Sequence, residues 1–91
     1  MRTAARVDDN HQQITAALRQ AGVLVLSLAA VGKGCPDLLC SLRGHLMLLE
    51  VKDGAKPPSR RKLTPEQEVF HSLWPVSVVT DVASAFDAVG L

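Results

Sequence analysis

The chain has 91 residues, 47% of them apolar, with ten lysines and arginines against nine aspartates and glutamates. That length builds one core and no second one, so a single domain over residues 1–91 is expected. No apolar run approaches the roughly 18 residues of a bilayer crossing and the opening MRTAARVDDNHQQ lacks a signal-type apolar block, which leads us to expect a soluble, cytoplasmic protein.

Between Asp9 and Ala21 the apolar residues Ile14, Ala17, Leu18 and Ala21 recur at helical spacing. Asp8, Asp9 or Asn10 can cap the start of this helix and Gly22 can stop it. Asn10 and Gln13 continue the apolar stripe toward the N-terminus and are expected to point inward; a capping box of Gln13 with Asn10 is the alternative for that glutamine. The run VLVLSLAA, Val23 to Ala30, then reads as a strand, and VGKG as a glycine-punctuated loop.

Two nearly apolar strands follow, Asp37 to Leu42 and His45 to Lys52, joined at Arg43-Gly44. Strands of this kind suit a sheet covered on both faces. Cys35 and Cys40 have no secretory context and are expected as free thiols, and with His45 they lack the fourth ligand and paired spacing of a zinc site. In LTPEQEVFHSLW, Thr64 is a candidate N-cap, Pro65 fits the first turn and Gln67 lies three residues after the cap. Val69, Phe70, Leu73 and Trp74 give that helix an apolar face, with Phe70 and Trp74 expected in the core. Pro75 ends it, VSVVT makes a fourth strand, and Asp81 to Val89 form a last helix capped by Thr80 or Asp81. The link from the third strand through the Thr64 helix to the fourth has the length of a right-handed crossover, so a mixed four-stranded sheet flanked by helices is expected.

Chemistry enters where charges sit inside strand-like sequence. Glu50 and Lys52 share one face of their strand because side chains alternate. With a two- or four-residue turn at Arg43-Gly44, Leu42 opposes His45 and Asp37 therefore opposes Glu50, with Cβ atoms about 4.5–5.5 Å apart. Opposed carboxylates repel unless a divalent cation lies between them. Magnesium fits such oxygen ligands, with the Val51 backbone carbonyl as a third donor, and Lys52 can stabilise charge on a phosphoryl group. Lys52, Lys56, Arg60, Arg61 and Lys62 place half of the basic residues in eleven positions. With Lys33 they form a candidate phosphate-contacting set. GKG lacks the rest of a P-loop.

The segments CPDLL and LLEVKDG, separated by a short hairpin, resemble the PD-(D/E)XK nuclease pattern, with Asp37 in the first half and Glu50-Val51-Lys52 in the second. GKGCPDLL, PPSRRKLTPEQ and FHSLW are similar to small stand-alone VRR-NUC-type proteins of phages and prophages. The resemblance implies an α/β, restriction-endonuclease-like αβββαβ core and a Mg2+-dependent DNA endonuclease, with Mn2+ as a substitute. It further implies metal binding by Asp37 and Glu50, catalysis by Lys52, and a glutamine such as Gln67 near the lysine and the substrate phosphate. Related proteins often carry a glutamate in the first helix where Gln13 stands, which makes Gln13 a candidate metal neighbour. Homodimers acting on branched, flap or junction DNA are expected from the same resemblance; a non-catalytic DNA-binding or assembly module that has kept the fold is the rival.

Overall fold

The computed structural model describes residues 9–91. Helix α1 (Asp9–Gln20) is followed by strands β1 (Leu24–Ser27), β2 (Leu38–Leu42) and β3 (His45–Val51), a 3-10 turn (Pro58–Arg60), helix α2 (Pro65–Leu73), strand β4 (Val76–Val79) and helix α3 (Val82–Val89). The strands lie in the order β1-β2-β3-β4 in one sheet. The first three are antiparallel neighbours and β4 is parallel to β3, so α2 lies on the crossover between them. No helix among the described residues is long and apolar enough to cross a membrane.

Local chemistry sets the ends of these elements. Gly22 adopts φ +92 after α1, and the Val23 N–H donates to the Leu18 carbonyl at 3.0 Å, which closes the helix in a glycine-terminated turn. Of the α1 cap candidates, Asp8 lies outside the described residues, while Asp9 and Asn10 are helical. Thr64 and Gln67 form a reciprocal capping box at α2, with Pro65 in the first turn. Asp81 and Ser84 do the same for α3, and Gly90 ends that helix at φ +86. The β2–β3 turn uses Arg43 and Gly44, both at positive φ (53 and 82). Positive φ at both central residues gives a two-residue turn whose twist matches the strands.

β1 is shorter than the apolar run predicts. The Leu28 N–H still reaches the Asp37 carbonyl at 2.7 Å, but the Ala29 N–H turns to the Ser27 hydroxyl and the Val31 N–H to the Leu28 carbonyl. A side-chain acceptor competing for backbone donors ends the ladder there.

The two faces of the sheet differ. Leu38, Cys40, Leu49, Val51 and Val79 point to one face, where they are buried against Ile14 and Leu18 of α1 and Ala85 and Val89 of α3. The other face carries Leu24, Leu26, Leu46 and Val78, all exposed, Leu24 at 72% and Leu46 at 70%. Coverage of both faces, the expectation from the apolar strands, therefore fails among the described residues. α2 buries none of its residues. Val69, Leu73 and Trp74 are exposed, and Phe70, half-buried, stacks on Trp74 at a centroid distance of 5.3 Å. The expected core positions of Phe70 and Trp74 are corrected accordingly: their stripe packs ring on ring beside the sheet rather than into the core.

Candidate active site

The hairpin register decides which charges meet. β2 and β3 pair Leu42 with His45 and Leu38 with Leu49, so the next opposed positions are Asp37 and Glu50, as the two-residue turn requires. Pro36, fully buried, precedes Asp37 at the entry to β2. The Asp37 carboxylate accepts a hydrogen bond from the Val51 N–H at 2.8 Å, which holds it against the end of β3.

Glu50 is a buried carboxyl, 2% exposed. Its Oε2 accepts from the Gln67 amide at 3.2 Å and lies 3.8 Å from the Lys52 ammonium, whereas its Oε1 is buried with no partner among the described residues. Burial first, then the charge of Asp37 and a hydrogen bond with it, push the Glu50 carboxyl up to about 8, with Lys52 pulling the other way. Two acidic groups side by side, one of them buried with an oxygen left over, form a site short of positive charge.

Gln67 joins the elements. Its Oε1 accepts from the Thr64 N–H at 2.9 Å and from the Lys52 ammonium at 3.0 Å, while its amide donates to Glu50. The capping position read from spacing and the place beside the lysine implied by the resemblance fall to one side chain. His71, one turn later, is half-buried with Nε2 unpartnered; burial, and then the nearby Lys52 charge, lower its pKa.

Asn10 is the residue that sequence reasoning undervalued. Its amide donates to the Lys52 carbonyl at 2.9 Å and to the Thr80 carbonyl at 3.1 Å, tying α1 to the ends of β3 and β4. An asparagine one turn before the buried Ile14 was its one signal. Gln13 does not follow it inward: it is exposed, while His11, Ile14 and Leu18 take the buried arc. At 100° per residue, position 13 falls well off the stripe centred between 11 and 14, and no capping box with Asn10 forms because Asn10 already lies inside the helix.

The basic residues ring this end of the molecule. Lys33 is exposed in the turn before Asp37, where Gly34 sits so close to α2 that an added Cβ would meet the Glu66 carbonyl oxygen at 2.5 Å. Only glycine allows that loop to lie against the first turn of α2. Arg60 and Lys62 are exposed on the β3–α2 loop, and Lys56 and Arg61 are half-buried there.

No family model matches this chain, and no curated protein does. Among solved structures it is similar to one described as a VRR_NUC domain, with 26% identity and a TM-score of 0.59 over 86% of this chain and 91% of that one. The chain thus has the fold of a VRR_NUC domain, and the PD-(D/E)XK superfamily is the one that domain belongs to. In this sheet Asp37 opposes Glu50, with Lys52 on the same face.

Proposed function

We propose that this chain is a divalent-metal-dependent DNA endonuclease that hydrolyses phosphodiester bonds. The observation that carries the reading is the opposed pair Asp37 and Glu50, with one buried Glu50 oxygen unpartnered among the described residues. A hard divalent cation fits that donor set, because carboxylate oxygens are its preferred ligands and its charge relieves the repulsion that protonation now relieves. Asp37, Glu50 and the Val51 carbonyl would hold Mg2+ or Mn2+. The Val51 N–H faces Asp37, and an extended residue presents its carbonyl on that same edge. When bound, the cation polarises the phosphate and lowers the pKa of its water.

The chain's own groups do the rest. Lys52 extends from the same face as Glu50, and Gln67 fixes its ammonium at 3.0 Å. That ammonium can hold the attacking water and stabilise charge growing on the phosphoryl oxygens. Gln67, anchored by the cap of α2, keeps Lys52 from closing fully on Glu50, whose Oε2 it meets only at 3.8 Å. Lys33, Lys56, Arg60, Arg61 and Lys62 supply phosphate contacts that carry no sequence information, which favours recognition of DNA structure, such as flaps or four-way junctions, over base sequence.

A second copy of the chain is the partner we propose. The exposed Leu24, Leu26, Leu46 and Val78 give the sheet an apolar face of the kind that marks protein interfaces, and a two-fold dimer presents two sites to two strands. A glutamine in place of the first-helix glutamate would favour the non-catalytic rival by weakening metal binding, but the exposed Gln13 lends that rival no support. The test is incubation with linear, flap and four-way DNA, with and without Mg2+ or Mn2+, alongside sedimentation without DNA. Cleavage that needs the metal is expected, with branched DNA cut faster than linear; absence of cleavage on all three would reject the enzyme.

A further inference from the structure

A cleft of about 380 Å3 lies between α1 and the segment after β1, apart from the carboxylate pair. His11, Gln12, Thr15, Arg19 and Ser27 are its polar lining, and no carboxylate lines it among the described residues. His11 is only 8% exposed, and its Nε2 is buried without a hydrogen-bond partner among the described residues. Thr15, one helical turn on, has its hydroxyl in the same condition. Buried polar atoms are paired in nearly all folded proteins, so two orphans beside one cleft call for a partner that enters it.

The donors define the partner's charge. Arg19 spends one N–H on the Val25 carbonyl at 2.9 Å, which holds the guanidinium at the cleft with further N–H groups to offer. The Ser27 oxygen accepts from the Ala29 N–H at 3.4 Å, so its own proton is free to be donated outward. Thr15 donates once its hydroxyl rotates toward the cleft, and the His11 ring can donate through Nε2. A guanidinium beside three such groups excludes a metal cation and suits an oxyanion.

Both walls of the cleft are linked through the backbone to segments of the candidate active site. Ser27 pairs with Leu38, the residue after Asp37, and the next N–H, that of Leu28, bonds the Asp37 carbonyl. On the other wall, His11 follows Asn10, which holds the Lys52 carbonyl. We infer that this cleft binds a phosphodiester group of the DNA strand next to the one being cut, through Arg19, Thr15, Ser27 and His11. The source of the phosphate rests on the nuclease reading; the anion site does not.

Two arms test it with the full chain. In the first, inorganic phosphate is titrated while the Thr15 and Ser27 amides and the His11 ring are followed by NMR, for the wild type, Arg19→Gln and Thr15→Val. Saturating shifts in the wild type that vanish in Arg19→Gln are expected. In the second, binding of uncut DNA is measured in calcium against salt; losing one phosphate contact should weaken Arg19→Gln about fivefold at 150 mM salt and make the log–log slope shallower by about 0.7–0.9. Thr15→Val, which keeps the side-chain volume, guards against an effect of lost folding, and melts verify both variants. Phosphate shifts with no DNA binding by the wild type would support the anion site and reject the nuclease reading. Wild-type DNA binding that both variants reproduce in affinity and slope would overturn the strand contact, and an absence of phosphate shifts as well would overturn the site.

Discussion

One face of the sheet is closed and the other is open, and the two obey different rules. On the closed face Leu38, Cys40, Leu49, Val51 and Val79 meet α1 and α3, and each apolar side chain has a partner inside the chain. On the open face, Asp37, Glu50 and Lys52 gather at one end and exposed leucines at the other, with α2 reaching over only through residues such as Gln67. The apolar packing of the closed face is complete in itself. The open face is complete only with something from outside: a cation between the carboxylates, a phosphate beside Lys52, a second apolar surface over the leucines.

The sharpest way to separate the faces is to remove one carboxylate. Asp37→Asn and Glu50→Gln should each lower metal-dependent cleavage by about a thousandfold or more, since metal and general-acid-base contributions of that order are lost together. Both variants should stay folded, because Asp37→Asn removes the charge that Glu50 faces and Glu50→Gln keeps a neutral group where Glu50 is held neutral, and Lys52→Ala should lose cleavage while keeping manganese binding. Calorimetric titration with manganese beside a cleavage assay reads both properties. A carboxylate variant with full activity would remove Asp37 and Glu50 from the site.

Next in size is the contrast between two leucines of β3. Leu49→Ala opens a cavity in the closed face and should cost about 2–5 kcal/mol in chemical denaturation. Leu46, three residues earlier and 70% exposed, should cost under about 0.5 kcal/mol as Ala when the chain is dilute. Leu46→Ser combined with Leu24→Ser should shift sedimentation from dimer toward monomer. A dimer untouched by that pair would place the interface elsewhere.

The pH response sharpens the same comparison. Glu50 ionises far more readily in the unfolded chain, near its ordinary 4.5, than in the fold, where it titrates near 8. Its contribution to stability is thus fully present below about pH 4.5 and is lost as pH rises through about 8. The metal-free protein should melt lower at pH 8 than at pH 5.5, and 1 kcal/mol of that loss corresponds to about 4–8 °C for a domain of this size. Glu50→Gln should flatten the trend, and Mg2+ should raise the melting point most at the alkaline end. A melting point that ignores pH in the wild type and the variant alike would mean that Glu50 is not held neutral.

The sequence alone carried the parity of the hairpin, since a two-residue turn leaves one arithmetic for Asp37 and Glu50, and it carried both capping boxes, which are local. What it could not carry was who covers an apolar surface. Leu24, Leu46, Leu73 and Trp74 read as buried because periodicity reports that a face is apolar and says nothing of whether its cover comes from the same chain. The Asn10 clamp on two carbonyls and the double use of Gln67 also escaped, because both join segments brought together only by the crossover.

Gln13 gives the smallest effect and tests the edge of the site. Glu at this position adds a negative charge at nearly constant volume, and near a bound cation it would lower the metal concentration for half-maximal cleavage. Gln13 is exposed and makes no hydrogen bond among the described residues, so its charge would be seen through water and screened within about 8–10 Å. Position 13 also lies past the first turn of α1, where the helix dipole has faded. We therefore expect Gln13→Glu to leave both the magnesium midpoint of cleavage and the metal-free melting point where they are. A magnesium titration of the two proteins at 150 mM salt measures the first and thermal melts the second. A midpoint that falls threefold or more would show that α1 brings this side chain to the cation once metal is bound, and would extend the open face onto the helix.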